Sequence, residues 1–155
     1  MKIIFLSDAN SIHTLRWIES LASNDLEVQL FSLFKPKKFL IEKYKKFNVK
    51  IISPDLRLNI NHLREPNLSK IKYLKAIPLL KKTIKDFKPD ILHAHYASSY
   101  GILGYLSRFK PFILSVWGSD IYHFPYKSIL NKWILKLVIK NSDKVCSTSI
   151  AMKKI

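Results

Sequence analysis

The chain has 155 residues, which suits a single domain able to bury roughly 70% of its unfolded surface. Its 48% hydrophobic and 25% charged residues are those of a globular protein, and its single cysteine, Cys146, excludes a disulfide within the chain. No apolar run reaches the ~20 residues of a membrane span, and Ile3 to Leu6 is too short for the apolar core of a signal peptide.

Against 11 acidic residues stand 27 basic ones, a net charge of +16. Such an excess favours an anionic partner: nucleic acid, an acidic membrane surface or a phosphorylated ligand. Nearly all of it is lysine, the arginines being Arg16, Arg57, Arg64 and Arg108. Specific nucleic-acid readers lean on arginine for paired contacts to bases and phosphates. With no zinc knuckle or helix-turn-helix pattern and no basic motif interleaved with aromatics, specific nucleic-acid recognition is not expected. The lone cysteine suits a cytoplasmic location.

In chain order, Lys2 to Ser7 is a short apolar run of the kind that forms a buried parallel strand. The loop Asp8-Ala9-Asn10-Ser11 follows, and Asn10 or Ser11 can cap the next helix. That helix is marked by Ile12, Leu15, Trp17, Ile18, Leu21 and Ala22. Its turn has no glycine, so the usual dinucleotide fingerprint is missing. Leu26 to Leu33 reads as a second strand, Lys35 to Lys46 as a basic helix or loop, and Val49 to Ile52 as a third strand. Pro54 to Pro66 has no clear period and reads as an irregular connection. From Leu68 to Lys88 the pattern is helical, with Pro78 expected to kink or split it.

The most informative stretch runs from Asp90 to Asp120. Ile91-Leu92 opens a fourth strand that leads into His93-Ala94-His95-Tyr96. A helical pattern then reaches about Phe109, Pro111 breaks it, and Phe112 to Val116 is a fifth strand ending in the loop Trp117-Gly118-Ser119-Asp120. Tyr122 to Tyr126 reads as a loop. Ser128 to Lys140 is an amphipathic helix with Ile129, Leu130, Trp133, Ile134, Leu137 and Val138 on one face and Lys132, Lys136 and Lys140 in a stripe. Lys144 to Ser147 is a sixth strand, and Thr148-Ser149 starts a further helix. Trp17 and Trp133 are expected in the core, and Cys146 as a buried strand residue.

Alternating strands and helices predict an α/β fold with a doubly wound, mainly parallel, Rossmann-like sheet in the order 3-2-1-4-5-6. Ligands bind at the carboxyl ends of such strands, so loops 8–13, 93–99 and 117–123 should ring one crevice.

Three segments carry a family resemblance: Ser11 to Trp17 (SIHTLRW), Asp90 to Tyr96 (DILHAHY) and Ser115 to Ile121 (SVWGSDI). Ser142 to Val145, with Ser147 to Ser149 after it, adds a fourth. Together they resemble the N-terminal, acceptor-side domain of a family 4 glycosyltransferase with the GT-B fold. The resemblance implies an N-terminal half that shapes the acceptor site and faces a nucleotide-sugar held mainly by a C-terminal half. It implies hexosyl transfer without a metal or other cofactor. The acceptor would be a carbohydrate or a lipid-linked sugar in polysaccharide or lipopolysaccharide assembly, at the inner face of the plasma membrane. By the same resemblance residues 1–155 stop before the inter-domain hinge, and the donor-side catalytic residues, with their paired glutamates, belong to an absent C-terminal domain. Transfer by residues 1–155 alone is therefore not expected. Many relatives have histidine where this chain has Trp117, so a histidine role there does not carry over, and Trp117 would instead stack on a sugar or isoprenoid.

The candidate acceptor-binding residues are Asn10, His13, His95, Tyr96, Trp117, Gly118, Ser119 and Asp120. His93 and His95 share one face of their strand, as site residues or as hydrogen-bonded core. His13 either contacts a phosphate or orients the first loop. Asp120 either caps a turn or binds an acceptor hydroxyl, and Gly118 permits a tight bend or a close ligand approach. A metal site would need a third ligand from Asp8, His13 or Asp120, and none is expected. The alternative function is a non-catalytic Rossmann-like module that binds anionic partners: a membrane surface, nucleic acid or a protein.

Overall fold

The computed structural model describes residues 1–54, 56 and 71–153. Most of the connection expected over 54–66, and the start of the helical pattern at 68–70, lie outside the described residues. Six parallel strands form one sheet in the order β3-β2-β1-β4-β5-β6. They are β1 (Lys2–Leu6), β2 (Glu27–Phe31), β3 (Lys50–Ile52), β4 (Ile91–His95), β5 (Phe112–Val116) and β6 (Lys144–Ser147). The order is the one that the alternating pattern predicts.

Alternation along β1 divides the core. Ile4 and Leu6 join the larger cluster with Leu92, Ala94, Leu114 and Val116, while Phe5 faces the other side with Ile18, Leu30 and Tyr44. Helices α1 (Ile12–Ala22) and α2 (Lys38–Lys46) cover the Phe5 face. Helices α4 (Ile77–Phe87), α5 (Gly101–Ser107) and α7 (Ile129–Lys140) cover the other. The helical pattern before β4 is split, as Pro78 demands. α3 (Ile71–Leu74) stops, and Pro78 enters the first turn of α4, where its missing N–H costs nothing.

α5 lies close on β5 because two of its residues lack a Cβ. A Cβ at Gly104 would overlap the ring of Phe112, and one at Gly101 would stand 2.9 Å from Leu114 Cδ1 and 3.2 Å from the Tyr96 carbonyl. α7 begins with the Ser128 hydroxyl accepting the Asn131 N–H at 3.1 Å.

Four expectations need correction. The segment after Trp117 is not a loop: Gly118–Tyr122 forms a short helix, α6, followed by a 3-10 turn at Pro125–Lys127. Trp133 is 60% exposed, with Ile129 and Leu130 exposed beside it. Of the expected face, Val138 is buried against Gly101 of α5, and Leu135, which that face did not include, is buried with it. Cys146 is only half-buried, since β6 is the last strand of the sheet and most of its residues are open. Trp17 is 39% exposed and packs the edges of its ring on the core rather than filling it. The last helix, α8 (Ile150–Lys153), starts where expected, with the Ser149 hydroxyl accepting the Met152 N–H at 3.3 Å.

Candidate functional site

The loops after β1, β4 and β5 meet at the carboxyl edge of the sheet, around the point where the strand order reverses. A cleft of about 600 Å³ opens there, lined by Asp8 and Ser11, by Tyr96, Ser98 and Ser99, and by Ser119, His123 and Lys127. Phe34, Tyr73, Tyr100 and Phe124 complete its walls. The three loops expected to ring one crevice do so.

The first loop is fixed by hydrogen bonds instead of glycine. Ala9 donates its N–H to Ser32 Oγ at 3.0 Å, and its carbonyl accepts the Tyr44 hydroxyl at 2.9 Å. Asn10 ties the loop to the segment after β2: its Nδ2 donates to the Lys35 carbonyl at 3.1 Å, and its Oδ1 accepts the Lys37 N–H at 2.9 Å. The Asn10 side chain is therefore engaged within the protein. Asp8 accepts the Asn10 N–H at 2.9 Å, which leaves its carboxylate at the cleft wall. Ser11 is the residue before α1 but makes no side-chain cap.

The second and third loops are joined by Asp120. Its Oδ2 accepts the Ala97 N–H at 2.7 Å, and its Oδ1 accepts the Trp117 N–H at 2.8 Å. Asp120 is 1% exposed, and its carboxylate latches the two loops from within. Burial pushes its carboxyl up to about 6, against the pull of these N–H donors. Gly118 has no left-handed backbone, and a Cβ there would meet nothing closer than 3.6 Å, so the tight-bend reading fails.

Tyr96 is the strained point of the site. Its φ is 67°, unusual for a bulky residue, and a π-helical turn (Tyr96–Tyr100) follows at once. This widened turn sets Ser98 and Ser99 on the cleft wall. Tyr96 stacks on Trp117 with ring centroids 5.7 Å apart, and burial, then Asp120 and Asp8, raise its phenol above the usual range.

His93 and His95 pack with Phe5 and Trp17 on the α1 side of the sheet. The ring of His95 touches Phe5 (4.5 Å), His93 (5.2 Å), Trp117 (5.2 Å) and Trp17 (5.4 Å). His93 Nε2 shares a 2.8 Å hydrogen bond with Ser115 Oγ. His13 lies exposed on α1 with its ring 4.9 Å from Trp117. His95 Nε2 and Trp117 Nε1 are both buried without a partner. Among the described residues no group of three or more His, Cys, Asp or Glu could hold a metal ion. Of the expected site residues, Tyr96 and Ser119 line the cleft, His13, His95 and Trp117 form a ring cluster beside it that does not line it, and Asn10, Gly118 and Asp120 shape the loops. Asp8, Ser11, Ser98, Ser99 and His123 lie in the three expected loops but were not among the candidate binding residues, and Lys127 lies outside those loops.

Burial holds His93 down to about 4, and burial, then His93 and His13, hold His95 down to about 3. Both imidazoles are neutral when folded and titrate near 6.5 when unfolded. Below pH 6.5 the unfolded chain binds more protons, so their contribution is full above 6.5 and lost as pH falls through about 4 and 3. Asp120 opposes them: between its ordinary 3.8 and about 6 the folded chain is the better proton binder. Urea unfolding from pH 7 to 4.5 should show stability falling, and His95→Phe should flatten that fall by about one proton in slope. An unchanged slope would contradict a buried neutral His95.

Similarity agrees with this arrangement. The glycosyl transferase 4-like family model matches residues 2–149. An uncharacterized glycosyltransferase of Methanocaldococcus jannaschii is 33% identical over 99 residues, which span 61% of this chain and 27% of that protein. The crystal structure of UDP-GlcNAc 2-epimerase from Neisseria meningitidis, bound to UDP-GlcNAc, superposes with a TM-score of 0.66 at 17% identity. It covers 99% of this chain and 42% of its own. MurG of Acinetobacter baumannii gives 0.60 at 15% identity, over 96% of this chain and 41% of its own. At these identities the two structures show a shared fold, and the chain spans less than half the length of each protein. With the family model matched along nearly its whole length, the chain belongs to the glycosyl transferase 4-like family.

Proposed function

We infer that this chain is the acceptor-binding domain of a glycosyltransferase that moves a sugar from a nucleotide-sugar to a carbohydrate or lipid-linked acceptor in surface glycan assembly. Transfer then depends on a donor-binding C-terminal half in addition to residues 1–155. One observation carries the reading: the cleft is walled by hydroxyl groups that the protein itself does not use. Among the described residues the side chains of Ser11, Ser98, Ser99 and Ser119 make no hydrogen bond within the protein, and the buried Tyr73 hydroxyl has no partner. Ready hydroxyls beside aromatic walls suit a polyhydroxylated ligand whose ring faces are apolar. The donor class is supported by the family, and UDP-GlcNAc is the ligand named for the Neisseria epimerase.

Neutral mono- and disaccharides titrated into the chain by calorimetry should identify at least one that binds. The double variant Ser98→Ala/Ser99→Ala should then bind it about thirtyfold more weakly, two hydroxyl contacts being worth about 1 kcal/mol each. Neither serine supports the fold through its side chain, so an unchanged affinity, or no binding to any glycan, would contradict the reading.

The same reading brings the chain to an anionic membrane through α7. Trp133, Ile129, Leu130 and Tyr126 are exposed there, next to an apolar groove of about 370 Å³ that includes Ile121, Leu135, Val145 and Met152. Lys132 and Lys136 border the groove, and α7 carries no acidic residue. Exposed aromatics beside lysines suit the headgroup layer of an anionic bilayer, where each lysine adds about 1 kcal/mol. Phosphatidylcholine vesicles containing phosphatidylglycerol should sediment the chain at low salt. Lys132→Glu/Lys136→Glu and, separately, Trp133→Ser should each release it, and sedimentation untouched by both variants would remove α7 as the docking face.

A further inference from the structure

Charge is segregated along the cleft. Asp8 follows β1 at one rim, while His123 and Lys127 follow β5 at the other. β4 lies between the two strands that lead to these rims, which are two strand spacings apart, about 10 Å. The wall between carries Tyr96, Ser98 and Ser99, all uncharged near neutral pH.

The cationic rim has no counter-charge of its own. Between Gly118 and Lys127 the single carboxylate is Asp120, which is buried and engaged by the N–H groups of Ala97 and Trp117. Among the described residues neither the His123 ring nor the Lys127 ammonium has a partner within the protein. The Tyr73 hydroxyl, 4% exposed and unpartnered, lines the same cleft and adds a donor without charge. A neutral sugar would satisfy Asp8 and the serines but leave the β5 rim unused.

We propose that the cleft takes an acidic sugar, with its hydroxyls toward Asp8 and the serines and an anionic substituent on His123 and Lys127. The substituent is a carboxylate or a phosphate ester. The cleft, about 600 Å³, has room for a ligand of one or two rings. This rests on the acceptor reading and narrows its substrate class.

The test is a set of calorimetric titrations at one ionic strength with glucuronate, glucose 6-phosphate, methyl glucoside, inorganic phosphate and UDP. Glucuronate or glucose 6-phosphate should bind at least about tenfold more tightly than methyl glucoside or inorganic phosphate, the gain of one charge-assisted contact. Which of the two gains more identifies the anionic group. Lys127→Ala should abolish that gain, while Lys85→Ala, which removes the same charge from α4, should leave the gain intact. Methyl glucoside binding as tightly as the acidic sugars would overturn the proposal while the acceptor reading stands. Equal losses in Lys127→Ala and Lys85→Ala would assign the gain to the overall field of the +16 chain and overturn it too. So would inorganic phosphate or UDP matching the acidic sugars with the same dependence on Lys127, because the rim would then hold phosphate irrespective of a sugar. No binding by any sugar would defeat the acceptor reading along with it.

Discussion

The site depends on one carboxylate. Asp120 receives the N–H of Ala97 from the loop after β4 and the N–H of Trp117 from the loop after β5. Without it two inward-facing backbone donors would be left unpaired, each at a cost of about 1–3 kcal/mol. With it the two loops are held as one unit, and the strained backbone of Tyr96 has a fixed neighbour on the next residue. The strain has a structural consequence: the chain turns from β4 directly into a π-helical turn, and Ser98 and Ser99 reach the cleft wall. Asp120 remains the costly element, since burial opposes its charge.

Beneath the loops, the same economy of space explains the histidines. Phe5 on β1 and His93 on β4 are paired in register, and Trp17 of α1 closes over both His93 and His95. Edge-to-face contacts at 4.5–5.4 Å make a stiff floor of rings. Trp117 bridges this floor to the loops above, touching His13, His95 and Tyr96. Its ring is thus enclosed by protein on several sides, which leaves less of it to stack on a sugar or isoprenoid than the sequence suggested.

Much of the fold was legible because hydrophobic periodicity has a direct cause in the sheet. Short apolar runs such as Phe112 to Val116 are buried on both faces, and right-handed crossovers then leave few possible strand orders. The exposed turn of α7 was not legible, because an apolar stripe looks alike whether it meets the sheet or points past its last strand. Val138 packs against Gly101, while Trp133 stays 60% exposed. The meeting of three loops followed from topology, but the roles within them did not. A polar residue in a loop has no period to show whether it faces a ligand, as Ser119 faces the cleft, or the backbone, as Asn10 and Asp120 do. Asp8 at the end of β1, and the Ser98-Ser99 pair just past Tyr96, were the available signals for the cleft. His123 stood at the end of an expected loop without being singled out, and Lys127 gave no signal, because the 3-10 turn that presents it lies beyond the loops expected at the crevice.

The central claim is that these three loops act as one sugar-binding surface. Its most direct test is two-dimensional nitrogen–proton NMR of the labelled chain during titration with a bound saccharide. The account predicts shifts that saturate together at Asp8 to Ser11, Tyr96 to Ser99 and Ser119 to Lys127, with one shared affinity. Shifts spread over the lysines of α2 and α4, or confined to α7, would contradict it and leave a basic module that attracts anions through its overall charge.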